Sequence, residues 1–207
     1  PKKQTILLED FRKNPQKNPI STPSGKIEIF SETVNSFNYQ DCPGHPTWIE
    51  QEEWLGSNLT KQYPLQLISG QPHNRLHSQL DNGSESQNYK ILGREPIKIH
   101  LQDAQSRGLI NGDIVEVFNK RGKCLAGVII SNEVMKGVVF LPVGAWYDPI
   151  NDGDFCIHGN PNVLTEDIGT SSLAQGPSAH STLVEIKKYT KEPPGINILH
   201  KPNIVNK

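Results

Sequence analysis

Between residues 60 and 190 the chain shows short apolar runs, many alternating with polar residues and separated by turn residues. Leu65–Ile68 predicts a strand that ends at Ser69-Gly70. Ile97, Ile99 and Leu101 alternate with Lys98 and His100 and predict a second. Asp103–Arg107 leaves room for a turn or two of helix, stopped by Gly108. Asn111-Gly112-Asp113 then turns the chain into Ile114–Phe118, where Val115 and Val117 share a face. Lys120-Arg121-Gly122-Lys123 predicts a hairpin into Cys124–Ile130. Ser131–Gly137 turns into Val138–Leu141, and Thr182–Lys187 predicts a last strand after about forty residues without regular alternation.

The two ends of the chain are different. Residues 1–60 predict a lead-in or inter-domain segment, of which Pro1–Ser24, with four prolines and a cluster of Lys, Asn and Gln but little apolar periodicity, predicts an extended connector. Within it, Lys26–Phe30 predicts a short strand, and Trp48, Ile49, Trp54 and Leu55 have helical spacing. The predicted organisation is a lead-in over 1–60, a β domain over 61–190 and a tail over 191–207. Closely spaced strands joined by hairpins point to a barrel or sandwich, since closing a sheet removes its exposed edges, and the helix after Leu101 disfavours a plain sandwich.

Composition agrees with a β fold. Five alanines and one methionine stand against forty Ile, Val and Thr, and 17 Gly with 16 Pro imply many turns. Twenty-one basic residues against 22 acidic ones leave a net charge of −1, without the positive excess that a nucleic-acid phosphate backbone calls for. No apolar run is long enough for a membrane helix, and no membrane insertion is expected. Three scattered cysteines (Cys42, Cys124, Cys156) exclude a disulfide scaffold.

Several familiar chemistries find too few residues. His73 and His77 have i,i+4 spacing but follow Pro72 in a predicted loop, and Cys42-Pro43-Gly44-His45 offers only two ligands, so no metal site is expected. Gly169-Thr170-Ser171-Ser172 is not a nucleophile elbow, and Cys124 lies mid-strand where a thiol is usually inert. Asp148, Asp152 and Asp154 fit a solvated turn better than a calcium loop. Trp146-Tyr147 after Gly144 suits core filling or a pocket wall.

Two stretches are more polar than loops of their length require. Ser69–Gln79 offers a guanidinium, two imidazoles, amides and hydroxyls directly after a strand. Gly159–Gly176 is dominated by Asn, Thr, Ser and Gln. Arg75 can fork onto a phosphate, while Gln79, Asn162 and Gln175 can donate and accept together, as a pterin or purine edge requires. Solvated surface loops that cap neighbouring elements are the alternative.

Four motifs in order resemble the C-terminal dinucleotide-binding domain of the dimethyl sulfoxide reductase family of molybdenum enzymes, in particular its trimethylamine N-oxide and biotin sulfoxide reductase branch. They are Thr22–Phe30, His73-Asn74-Arg75-Leu76-His77-Ser78-Gln79, Asp103-Ala104 with Gly108–Asp113, and Gly159–Thr165 with Asp167–Ser171. The resemblance spans about residues 20–190. It implies a mainly β double-psi β-barrel with short helices, beside the extended lead-in.

It also implies a bis(molybdopterin guanine dinucleotide) cofactor with molybdenum in a longer parent that reduces N-oxides or S-oxides. On the dinucleotide it places His73, Arg75, Leu76, His77, Ser78 and Gln79, and towards the pterin or its phosphates Asn160, Asn162, Ser172 and Gln175. The two loops are expected to form one concave wall. The metal's protein ligand and the substrate funnel belong to other domains in this family, so the chain is expected to be an inactive fragment that does not hold the cofactor by itself. Its partners would be the parent's remaining domains, on which Trp48 and Trp54 would pack, and a c-type cytochrome as electron donor. The compartment implied by analogy is the periplasm. A non-catalytic barrel module, or the same domain of a formate dehydrogenase or nitrate reductase, remains as an alternative.

Overall fold

The computed structural model describes residues 5–150 and 155–201. The chain forms two compact units: one from the described part of Pro1–Ile49 with Thr170–Gln175, the other from Glu50–Gly169 with the described part of Gly176–Lys207.

The larger unit is a closed β-barrel. Its strands are β1 (Leu65–Ile68), β2 (Pro96–Ile99), β3 (Ile114–Phe118), β4 (Lys123–Ile130), β5 (Val138–Phe140), β6 (Pro149–Ile150), β7 (Phe155–Cys156) and β8 (Leu183–Lys188). Six of them follow the order β2-β5-β1-β8-β3-β4, and a β2–β4 pairing closes the ring. Pairings β1–β5 and β2–β4 are parallel, while β1–β8, β3–β4, β2–β5 and β3–β8 are antiparallel. Exchanging β1, β2, β3 with β4, β5, β8 maps every one of these pairings onto another or onto itself. Two interlocked copies of one three-strand pattern therefore make the barrel, which is the double-psi arrangement.

Alternation sets which face is buried. Leu65, Leu67, Ile97, Ile99, Val115, Val117, Cys124, Ala126, Val128 and Val139 fill the barrel. Ile114 and Leu125 face outward yet are also buried, under Phe155 and Ile157. β4 is thus covered on both faces. At Gly127 a Cβ would stand 2.3 Å from Cβ of Ile91, so only glycine lets that cover approach. Along its open side β4 pairs first with β7 and then with β2, so the short strand continues the line of β2.

The structure departs from the expected elements at several places. Leu101 opens α4 (Leu101–Gln105) and does not extend β2, because Nδ1 of His100 accepts from the Gln102 N–H and starts the helix. Gly108 ends that stretch at φ +62°. Trp48–Leu55 is not helical; Glu53 in its middle is drawn inward to Arg121 and to the Leu183 N–H. Lys26–Phe30 lies in no strand, and Ile27 and Ile29 are exposed, since no partner ladder meets their alternation. The stretch after Pro142 holds β6, β7 and a 3-10 turn at Pro161–Val163, none of which alternation had marked. A helix α3 (Ser84–Tyr89) also lies where none was expected.

The smaller unit has little interior. It carries helices α1 (Glu9–Lys13) and α2 (Glu32–Asn35). Ser31 caps α2 by accepting from Val34 N–H at 3.2 Å. Gly44, alone among its described residues, is buried; a Cβ there would meet the Ser31 carbonyl oxygen at 2.8 Å.

Candidate functional site

Because β1 and β5 run parallel, the segments that follow them leave the barrel side by side. Ile68 and Gly70 carbonyls accept from Leu141 and Val143 N–H groups, both at 3.0 Å. The first polar loop therefore starts against the chain that leads to Gly144 and Trp146. Gly144, at φ +93°, passes so close that a Cβ would overlap the His77 carbonyl. The indole Nε1–H of Trp146 donates to Ser78 O at 2.7 Å, and its backbone N–H to Oδ2 of Asp81 at 2.8 Å. Residues 144–146 thus act as a template for 77–81, where His77 and Leu80 hold positive φ.

Behind this loop lies a buried group of five ionisable side chains. Nη2 of Arg75 donates to Glu95 Oε1 at 3.0 Å and to the Val143 carbonyl at 2.7 Å, and its Nε to the His77 carbonyl at 3.2 Å. Lys90 Nζ stands 2.8 Å from both Asp81 Oδ1 and Glu95 Oε2. His158 completes the group, with Nδ1 2.9 Å from the Trp146 carbonyl and 3.7 Å from Asp81 Oδ2. Two carboxylates balance two cations, so no uncompensated charge is buried while the imidazole is neutral. Burial, and after it the Lys90 ammonium, push the His158 pKa below the usual imidazole value; the Trp146 bond, Asp81 and Glu95 pull the other way.

The second loop begins at the same group. Glu95 N–H donates to the His158 carbonyl at 3.1 Å, and Gly159 at φ +92° sits where a Cβ would meet the Glu95 Cβ at 2.6 Å. Asn160 caps the following turn by accepting from Asn162 N–H at 2.8 Å. The far end of the turn is held by the Leu164 carbonyl, which accepts from Asn119 Nδ2 and Arg121 Nε, both at 2.8 Å. Arg121 in turn grips Glu53 with both terminal nitrogens at 2.6 and 2.8 Å. Burial works to raise the Glu53 pKa, but hydrogen bonds from Arg121 and Leu183 N–H and nearby positive charge hold it below the usual carboxylate value.

The residues marked in the sequence are therefore distributed as follows. His73, Leu76, His77, Ser78 and Gln79 are exposed on the first loop, and Asn162 is exposed on the second with Asn160 half-buried beside it. Both loops are rooted at Glu95. Gln71–Asn74 also lines a cleft of about 430 Å³ walled by Tyr89, Pro96, Phe140 and Pro142. Ser172 and Gln175 belong to the smaller unit, where Ser172 N–H and Oγ–H both donate to Asp41 Oδ2 and the Gln175 amide donates to Ser171 O.

Arg75 differs from the phosphate fork anticipated for it. Its side chain is 0% exposed, and its Nε and Nη2 are engaged by Glu95 and two carbonyls while Nη1 is buried without a partner among the described residues, so it braces the loop from behind. Asp81, Lys90, Glu95, His158 and Glu53 were missed. Asp81, Lys90 and Glu95 meet within fifteen residues but in a stretch without apolar periodicity, and His158 and the Glu53 partner Arg121 come from far along the chain; the only local hint was Glu95 directly before a strand. Asp148 serves the tail, accepting from Asn197 and Ile198 N–H groups, while Asp152 and Asp154 lie outside the described residues. Among the described residues no His, Cys, Asp or Glu group of three could hold a metal ion, and no helix is long and apolar enough to cross a membrane.

Known proteins agree with this architecture. Residues 65–183 match the Molydopterin dinucleotide binding domain family. The chain is 46% identical to a trimethylamine-N-oxide reductase of Haemophilus influenzae, over 98% of this chain and 25% of that protein. It is 52% identical to trimethylamine-N-oxide reductase 1 of Escherichia coli K12, over 89% of this chain and 22% of that protein. Among solved structures, acetylene hydratase from Pelobacter acetylenicus superimposes with a TM-score of 0.67 at 21% identity, covering 85% of this chain and 25% of that one, a likeness of fold. The chain spans about a quarter of the length of the curated relatives it matches. With the barrel, the two rooted loops and the match over 65–183 in agreement, the chain belongs to the Molydopterin dinucleotide binding domain family.

Proposed function

We propose that this chain is the cofactor-binding part of a longer molybdenum oxidoreductase that reduces N-oxides or S-oxides. The observation that carries the reading is the common root of the two polar loops at Glu95, which presents exposed imidazole, hydroxyl and amide groups from both on one scaffold. That donor set fits a bis(molybdopterin guanine dinucleotide): hydroxyls, imidazoles and backbone N–H groups suit phosphate oxygens, and amides suit the donor-acceptor edges of a pterin. His73, Leu76, His77, Ser78 and Gln79 would hold the dinucleotide, and Asn160, Asn162, Ser172 and Gln175 the pterin or its phosphates. Arg75 contributes from the second rank by fixing the loop that carries them. The bound metal would supply oxygen-atom and two-electron transfer; the protein's own share is binding, orientation and exclusion of water.

On this reading the binding module spans about 61–190, with 1–60 leading in and 191–207 as its tail. The parent's other domains cover the exposed ligands, the electrons come from a c-type cytochrome, and the enzyme works in the periplasm. Support comes from the trimethylamine-N-oxide reductases that share half or nearly half of the aligned residues. The test is cofactor content. In the longer enzyme carrying this chain, Asn162→Ala and His77→Ala should each lower molybdenum and guanine nucleotide per protein, in proportion to activity. Full content in both variants overturns the assignment.

A further inference from the structure

Trp146 touches the first loop twice, and one group fixes where Trp146 itself stands: the imidazole of His158. The Trp146 carbonyl can only accept, so the His158 nitrogen 2.9 Å from it must donate, which makes Nδ1 the protonated nitrogen. His158 is 0% exposed, and its Nε2 has no hydrogen-bond partner among the described residues. The ring therefore spends its only donor on this carbonyl. From there the chain of bonds continues through Trp146 N–H to Asp81 and through the indole N–H to Ser78 O. On its other side His158 is the residue before Gly159, and its own carbonyl holds Glu95.

We infer that His158, through its Nδ1–H, is a positioning residue that sets the shape of loop 77–81 by way of Trp146 and ties that loop to the start of the second one. It acts on the ligand groups without touching a ligand. The geometry gives one side chain leverage over both loops: losing its donor lets the Trp146 carbonyl turn away and removes the template from Ser78. This inference rests on the reading of these loops as ligand loops, but the device itself is a property of the chain.

The experiment uses the 15N-labelled 207-residue chain without cofactor, so its outcome is separate from that of the cofactor-content test above. In the unmutated chain at neutral pH, long-range 15N–1H correlation of His158 is expected to show Nδ1 protonated and Nε2 bare; the opposite tautomer overturns the inference. His158→Leu is expected to speed solvent exchange of the Trp146 indole N–H about tenfold or more, as a locally opened hydrogen bond does. It should also shift the Ser78 to Asp81 amides while the Trp48 and Trp54 indole signals stay in place. His158→Asn can set its amide donor where Nδ1 stands and is expected to restore the slow exchange. Unchanged exchange in His158→Leu overturns the inference, as does loss in both variants while the Ile97 and Val115 amides remain protected. If His158→Leu does not fold, Trp146→Phe removes the indole donor alone; shifted Ser78 and Gln79 amides are expected, and unmoved ones overturn it.

Discussion

The two polar loops are held by opposite means. The first rests on charges sealed inside the protein: Arg75, Asp81, Lys90 and Glu95 have side chains at most 3% exposed and spend themselves on one another. The second is held at its start by backbone contact with Glu95 and at Leu164 by two side-chain donors, and its last stretch, Thr170–Gln175, folds with the smaller unit around the exposed Asp41. A buried ion network tolerates no single deletion, because each loss strands a charge away from water. A surface contact loses little when cut, since water replaces the missing partner. The first loop is therefore built to keep one shape and the last stretch of the second to move at small cost.

Substitutions can separate the two regimes. Glu95→Ala leaves both Arg75 and Lys90 short of a carboxylate and should destabilise the fold by about 3–5 kcal/mol in denaturant unfolding. Protonation works on the same group. His158 faces Lys90, Asp81 and Glu95, and its folded pKa lies below the usual 6.5. Above that value the ring is neutral in folded and unfolded chains alike. As pH falls below it, the unfolded chain takes up the proton first, so stability declines and levels off once pH passes the folded value. The melting temperature should fall across this window, and His158→Asn should flatten the decline. Glu53, whose folded pKa lies below 4.5, gives a separate loss at lower pH, which starts as pH drops below 4.5 and is complete once pH has fallen through its folded value.

Glu53→Ala should cost about 1.5–3 kcal/mol, the worth of a charged hydrogen bond lost with its partners left half-buried. Gly144→Ala places a methyl group against the His77 carbonyl and should cost about 1–3 kcal/mol, with amide shifts concentrated at His77 and Ser78. Asp41→Ala should cost the least, about 0.5–1.5 kcal/mol or less, with faster exchange at the Ser172 amide and none at Ser78. If Asp41→Ala proved as damaging as Glu95→Ala, the contrast between the loops would be void.

The sequence was readable where one face repeats. Leu65–Ile68 and Pro96–Ile99 sit where alternation puts them, since a half-buried strand writes its burial into every second residue, while Ile114–Phe118 and the long strand ending at Ile130, buried on both faces, were marked by their apolar runs between turn residues. The reading failed where a partner decides. Alternation at Ile27 and Ile29 found no neighbouring strand, and the same rhythm at Leu101 was broken by the cap from His100. Arg75 was singled out for its forked donors, but its environment depends on Glu95, 20 residues away, and on Val143, 68 away. Lys90 reads like any solvated lysine until the fold sets two carboxylates around it.

The barrel's wiring has a consequence for biosynthesis. β1 is flanked by β5 and by β8, so the first strand waits for two neighbours made more than seventy and more than a hundred residues later. A ribosome must release nearly the whole of this segment before Leu65 and Leu67 find both ladders. Until then the nascent chain carries open apolar edges, and translation that stops short of Leu183 leaves a ring that cannot seal.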